Sequence, residues 1–260
     1  MTRRRNLVAF AEGLVIVALI LTAWQVWAMT AQPPPVYYPT PSRIATSAWV
    51  SWLSVGGLTR DVFPSLERVL AGWVLAAVVG VTLGVAIGLF RRIGHFIDPV
   101  IQFMRAVPPP VILPVFLILL GIGDGMKVAF IAFGVVWPIL LNTVKGVRSV
   151  EPMQLETAAA FRLTGMRRLG ILILPAASPD IFAGLRISLS LALVLMVISE
   201  MIAAGSGIGF RILNSQATFN IAGMWAAIGV LALSGVVFNA LFSILESRVL
   251  RWHGTARAHE

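Results

Sequence analysis

The chain has 260 residues, of which 58% are hydrophobic and only 12% charged, with a formal net charge of +9 and no cysteine. A water-soluble domain carries about a quarter charged residues, so water is excluded as the main solvent of this chain. The absence of cysteine removes disulfides, thiol nucleophiles and thiolate metal sites, and the net positive charge is read as the basic bias of inward-facing membrane loops. No basic stripe with interleaved aromatics is present, which sets nucleic-acid binding aside.

Apolar runs of about 20 residues identify helical spans, whereas a transmembrane barrel shows shorter alternating runs. The chain is therefore expected to be an all-α integral membrane protein with about six transmembrane helices: 7–29, 65–90, 99–120, 128–144, 180–203 and 222–245. Three arginines, Arg3, Arg4 and Arg5, precede the first run. That run is too long for a signal-peptide core, and Gln32-Pro33-Pro34-Pro35 is no small-residue cleavage site, so a retained helix is expected. Next come the proline-rich PPPVYYPTP and an amphipathic piece over 42–53. Tyr37, Tyr38, Trp49 and Trp52 suit a membrane interface, and the prolines suit a stiff linker that lets the first span stand apart. The division expected is a helix over 1–30, an external linker over 31–62, a transmembrane core over 63–250 with a loop at 151–175, and a tail over 251–260.

In the second span Gly72, Ala76, Gly80, Gly84 and Gly88 recur every four residues and form one helical stripe. Small residues there let two helices approach closely in lipid. The stripe is read first as a static helix contact and second as a moving interface, with Gly184, Ser188 and Ala192 as a shorter version. In the third span Pro108, Pro109, Pro110 and Pro114 cannot continue a helical ladder, so a break near its middle is expected, against protein or a water-filled cavity.

The glycine clusters at 121–127 and 205–209 lack the endings of phosphate or dinucleotide loops and are read as turns. No nucleotide site, catalytic set or metal-ligand spacing is found around His95, His253 or His259. Asp61, Asp98, Asp124 and Asp180 sit at span ends. Strongly polar groups inside spans are costly, which singles out Arg105, Asn142, Ser188 and Glu200 as candidates for a substrate pathway. For each, pairing within the protein is the competing reading. Glu200 is too short to reach the headgroups and should pair with a basic or hydroxyl group on a neighbouring helix.

Placing the N-terminus inside leaves thirteen basic residues on the inner side and five on the outer: Arg43, Arg60, Arg68, Lys127 and Arg211. This orientation follows the positive-inside bias. It puts the polar island EPMQLETAAAFRLTGMRRLGILILPAASP, residues 151–179, in the cytoplasm.

That island resembles the signature loop of the permease subunits of bacterial ABC importers, in which Glu-Ala-Ala is followed by a spaced glycine and a Leu-Pro pair. Counted from Glu156, the Leu-Pro falls on Leu174-Pro175. Further fragments resemble the nitrate/sulfonate/taurine branch: Arg105-Ala-Val-Pro-Pro, Trp137-Pro-Ile-Leu-Leu-Asn142, Ser199-Glu-Met-Ile and Gly205-Ser-Gly-Ile-Gly. The resemblance implies a type I importer permease with cytoplasmic termini, multi-pass in the bacterial inner membrane and without enzymatic activity. It implies that the chain binds no cofactor, with ATP and magnesium held by cytoplasmic ABC ATPase subunits. It also implies an external solute-binding protein, a second permease copy in a homodimer, and surrounding lipid.

The loop would form a coupling helix seated on the ATPase through Glu156, Ala158, Ala159, Arg162, Gly165, Arg167 and Arg168. Glu156 would stabilise the helix start and the alanines would pack against the partner. Lipid headgroups are the competing partners for Arg167 and Arg168. Arg162 stands where the family has glycine, so the first helix is expected to run nearly a turn further and end at Gly165 as a left-handed cap. An integral-membrane lipid enzyme and an ion-coupled secondary transporter are the alternatives. The first lacks an acid, base or metal set, and the second would show acids in mid-span and an internal repeat.

Overall fold

The computed structural model describes residues 2–33, 35–54 and 56–251. The tail at 252–260, with His253, Arg257 and His259, lies outside the described residues, as do the side chains of Arg3, Arg4, Arg5, Arg91 and His95. The described chain is helical throughout: α1 (Thr2–Thr30), α2 (Pro41–Ala48), α3 (Phe63–Leu89), α4 (Arg91–Ala106), α5 (Pro109–Leu120), α6 (Asp124–Arg148), α7 (Pro152–Ala160), α8 (Gly165–Arg168), α9 (Leu174–Ala203), α10 (Ile208–Ala217) and α11 (Ile221–Val249). Wider π-helical turns extend α2 through Trp49–Ser54, lead into α3 at Leu58–Val62 and join α8 to α9 at Leu169–Ile173.

Among the described residues four helical stretches are long and apolar enough to cross a membrane: Leu58–Leu89, Asp124–Arg148, Gly165–Ala203 and Ile221–Val249. The expected span over 99–120 is instead two helices, Phe96–Ala106 and Pro109–Leu120, meeting at 95°. The proline run explains the break. Val107 and Pro108 are extended, with ψ of 120° and 124°. A residue before proline is pushed out of the helical region, and each ring removes a backbone donor.

Helix α6 is the centre of the molecule. It runs parallel to α3 on one side and antiparallel to α9 on the other. A Cβ added at Gly72 would lie 2.8 Å from Ile131 Cβ, at Gly80 3.0 Å from Ile139 Cβ, at Gly84 2.6 Å from Thr143 Cβ and at Gly88 2.7 Å from Val147 Cβ. Ala76 is buried in the same stripe. On the α9 side, Gly184 faces Asn142 and the Pro138 carbonyl, while Gly146 of α6 faces Ala177 and Asp180. The core between these helices holds Val69, Leu113, Phe130, Ile139, Leu195 and Met196. The stripe is a tight contact between α3 and α6.

Around this core, α1 stands largely apart. Val15 to Leu21 are exposed, and its last turns meet the body through Trp24, packed edge-to-face on Trp225 at 5.4 Å, and Trp27 beside Tyr38. Trp225 also donates from Nε1 to the Tyr37 carbonyl at 3.0 Å, which ties the linker to α11. The cap of α2 is local: Pro41 opens it and the Thr40 hydroxyl accepts the Arg43 N–H at 3.3 Å.

Widening the stripe should cost stability. Gly84→Val is expected to destabilise the purified protein by about 1–3 kcal/mol through overpacking on Thr143. Gly229→Ala, on α11 with open space around it, should be neutral or stabilising. Thermal unfolding in detergent measures both.

Candidate functional site

The two ends of the α3–α6–α9 core carry different chemistry. At the end where α3 and α6 begin, the sequence places Asp61, Ser65 and Arg68 on one helical face at intervals of four and three, so all three point toward α9 and α10. Glu200, in the last turn of α9, is fully buried. Arg68 Nη1 lies 2.6 Å from Glu200 Oε1, and Arg68 Nε donates to Asp124 Oδ1 at 2.8 Å. Lys127 Nζ reaches the same Asp124 oxygen at 3.2 Å. The Ser65 hydroxyl donates to Glu200 at 2.8 Å and accepts the Ile208 N–H at 2.9 Å.

The Gly205-Ser-Gly-Ile-Gly turn completes the cluster. Successive N–H groups opening α10 donate to three different acceptors: Gly207 to Asp61 Oδ1 at 3.0 Å, Ile208 to Ser65, and Gly209 to Glu200 Oε2 at 3.0 Å. These are the donors a helix start leaves without intrahelical partners, and carboxylates there also oppose the positive end of the helix dipole. Gly207 has φ +121°, and a Cβ on it would run into the Glu200 carboxylate. Asp61 pairs further with Arg211 at 3.3 Å, and Arg211 lies 5.3 Å over the Trp52 ring. Three carboxylates, Asp61, Asp124 and Glu200, thus meet three cations, Arg68, Lys127 and Arg211. The cluster is neutral and internally paired, and it fastens α3, α6, α9 and α10 together.

The four pathway candidates are distributed, not gathered. Glu200 is paired as expected from its short side chain. Ser188 is buried on α9, accepting Trp73 Nε1 at 2.8 Å and donating to the Leu185 carbonyl. Asn142 donates to the Pro138 carbonyl at 2.8 Å on its own helix. Arg105 is exposed in the last turn of α4. Arg186, the other arginine within a span, pairs with Glu246 of α11.

At the opposite end, α6 and α9 are clasped by Lys145 and Asp180 at 2.8 Å, and the polar island connects them. Its first helix is α7, opened by Glu151 as N-cap and Pro152 in the first turn. Two expectations need correction. Glu156 lies mid-helix, so the acid at the helix start is Glu151. Helix α7 also ends at Ala160 and does not reach Gly165. The Leu163 N–H donates to the Ala158 carbonyl at 2.8 Å and the Arg162 N–H to the Ala159 carbonyl at 2.9 Å, the paired bonds of a Schellman ending. Arg162 itself takes the left-handed conformation, φ +54°. The turn stays at the glycine's position because these bonds satisfy the last carbonyls of α7, at a backbone cost of about 1 kcal/mol for a non-glycine residue. Gly165, φ +53°, opens α8 with a second left-handed residue.

The outward face of the island is mixed. Glu156, Ala159, Arg162, Gly165 and Arg167 are exposed, beside Met153 at 72%, Phe161 at 76% and Met166 at 80% exposure. Ala158 is turned inward at 4% exposure, and Arg168 is half-buried. Ala158 does not share the outward face because α7 rests one side against the core residues around Val147, Val150 and Ile173, and Arg168, at the end of α8, lines the space behind the loop. The three large apolar side chains went unremarked in the sequence. Their signal was available: Met153 and Phe161 lie away from Leu155 around α7 and Met166 follows at the start of α8, in a segment expected to face water.

This architecture is that of a multi-pass helical membrane transport subunit. Residues 77–251 match the family of binding-protein-dependent transport system inner membrane components, and the chain belongs to it: it is a permease component of the ABC importer class, a transport component rather than an enzyme. The taurine transport system permease TauC of Escherichia coli (strain K12) is 29% identical over 241 residues, covering 91% of this chain and 88% of the relative. The bicarbonate transport system permease CmpB of Synechococcus elongatus is 30% identical over 239 residues, covering 89% and 86%. In fold, the chain is similar to a chain of the inward-facing MetNI methionine ABC transporter, with TM-score 0.64, 18% identity, and coverage of 78% of this chain and 96% of that one.

The neutral cluster should respond unevenly to neutralisation. Glu200→Gln leaves buried Arg68 short of its partner and sets an amide against Gly209 N–H, an expected loss of about 3 kcal/mol. Asp124→Asn keeps an acceptor oxygen at a side chain 67% exposed but removes the charge shared by Arg68 and Lys127, whose side chains are 6% and 5% exposed, and should cost less, about 1–2 kcal/mol. Thermal unfolding of the two variants, side by side, checks this order.

Proposed function

We propose that this permease imports a small solute bearing an anionic oxygen group, of the sulfonate, taurine, nitrate or bicarbonate kind, across the bacterial inner membrane. A solute-binding protein on the outer side delivers it. A separate ATPase, holding ATP and magnesium, drives the cycle through the loop at Glu156. Residues 63–250 form the transport core, with termini in the cytoplasm and a second copy of the chain completing the pathway. The relatives' substrates support the solute class, and Arg105 is the cation offered to it.

One observation carries the coupling assignment: a water-facing loop that exposes Met153, Phe161 and Met166 around Glu156, Arg162 and Arg167. Contiguous exposed apolar surface rimmed by charge marks a protein-docking face, and aromatic and arginine side chains are the usual anchors of such faces. The loop is also mechanically connected. Helix α7 follows directly from α6 and α8 runs through a π turn into α9, so a push on the loop is delivered to the two helices at the core.

Glu156→Ala, Arg162→Glu and Phe161→Asp are each expected to lower ATPase-driven uptake by about tenfold or more, with normal amounts of permease in the membrane. Uptake by everted and right-side-out vesicles, with membrane abundance measured in parallel, gives the result. Unchanged uptake in all three, or uptake that persists without the ATPase, would overturn the proposal.

A further inference from the structure

A cavity of about 800 Å³ opens behind the coupling loop, where the ends of α3 and α6 meet α7 and α8. Among the described residues three arginines line it, Arg92, Arg148 and Arg168, against the single carboxylate of Glu151. The arginines come from three different elements: the start of α4, the end of α6 and the end of α8. Arg168 Nε is buried without a hydrogen-bond partner. Arg148 spends one Nη2 donor on the Ile87 carbonyl at 3.3 Å, while its guanidinium lies against Gly94, where a Cβ would collide with it. A guanidinium carries five donors in a fixed fork, so the cavity presents many more donors than its one carboxylate can satisfy. At its rim the apolar side chains of Leu89 and Phe90 are 41% and 59% exposed.

We propose that this cavity binds the phosphate of an anionic membrane phospholipid. The chemistry required is an anion with several acceptor oxygens, joined to an apolar body that covers Leu89 and Phe90. Guanidinium groups match phosphate oxygens with paired, charge-assisted bonds, and basic pockets between helix ends are suited to lipid headgroups. A free anion would satisfy the arginines and leave the apolar rim uncovered. The position gives the lipid a consequence. Arg168 belongs to the loop, Arg148 to α6 of the core and Arg92 to the start of α4, so a phosphate held by all three staples the loop to the helices it would drive. The lipid thereby stiffens the transmission between loop and core. The inference rests on the membrane placement of α3 and α6 and is independent of which ATPase or solute the permease serves.

Native mass spectrometry of the full chain in detergent tests it, with dioleoyl phosphatidylglycerol, dioleoylglycerol and inorganic phosphate as separate probes. The expected result is one phosphatidylglycerol retained per chain and no comparable retention of dioleoylglycerol. Arg92→Gln and Arg168→Gln should each weaken retention about fivefold, and Arg60→Gln, at the opposite end, should not. Arg92 is exposed, so its single variant tests the site without disturbing the core. Equal retention of dioleoylglycerol, or unchanged phosphatidylglycerol retention in both arginine variants, overturns the site. Inorganic phosphate bound as tightly as the lipid overturns the lipid as its source. Unchanged lipid retention with loss of the co-purifying ATPase assigns the arginines to that subunit instead and likewise overturns the proposal.

Discussion

At Gly84 the backbone of α3 comes so near α6 that one methyl group would sit 2.6 Å from Thr143 Cβ, and on the other side of α6 a methyl group added to α9 at Gly184 would sit 2.9 Å from Asn142 Cβ. In lipid there is little hydrophobic drive between helices, and association depends on dense van der Waals contact and on interhelical hydrogen bonds. Close approach on both faces of α6 is therefore what makes a three-helix core possible. Each end of that core is then clasped by charge: Lys145 with Asp180 near the loop, and Arg68 with Glu200 at the far end. The peripheral helices α1, α5 and α11 leave broad apolar faces uncovered, as befits surfaces bordered by lipid.

The two ends divide the work. The far end holds an internally neutral cluster, with every carboxylate matched by a cation and the N–H groups of Gly207, Ile208 and Gly209 all engaged. Such a cluster fixes geometry and has no charge left over to attract a solute. The loop end is the reverse, with exposed cations, exposed large apolar side chains and a left-handed arginine. Arg162 keeps its conformation against a backbone preference of about 1 kcal/mol, a cost that a docking contact from its guanidinium would offset.

Much of this was legible in the sequence because membrane solvation forces long apolar runs and makes small residues conspicuous. The stripe from Gly72 to Gly88 was legible as a helix contact, the proline run as a break, and Glu200 as a buried acid needing a partner. The identity of that partner was harder to read. Arg68 was counted as a basic residue at a span entrance, although Asp61, Ser65 and Arg68 at helical spacing carried the signal. Helix α10 was missed because ten residues between two spans, Ile208–Ala217, have no length to announce them. The turn at Arg162 was misplaced because intrinsic preference favoured Gly165, whereas the hydrogen bonds ending α7 decide the position. Local propensity yielded to satisfaction of the backbone.

On the proposed reading, the outward face of α7 and α8 seats on a separate ATPase. The natural absence of cysteine makes one measurement direct: single cysteines introduced along the loop, followed by cross-linking to the co-expressed ATPase. Cross-links are expected from Ala159→Cys, Phe161→Cys and Met166→Cys and none from Ala158→Cys, whose side chain is 4% exposed and faces the core. Cross-links spread evenly along the loop, or absent from all three exposed positions while the ATPase still co-purifies, would contradict that reading.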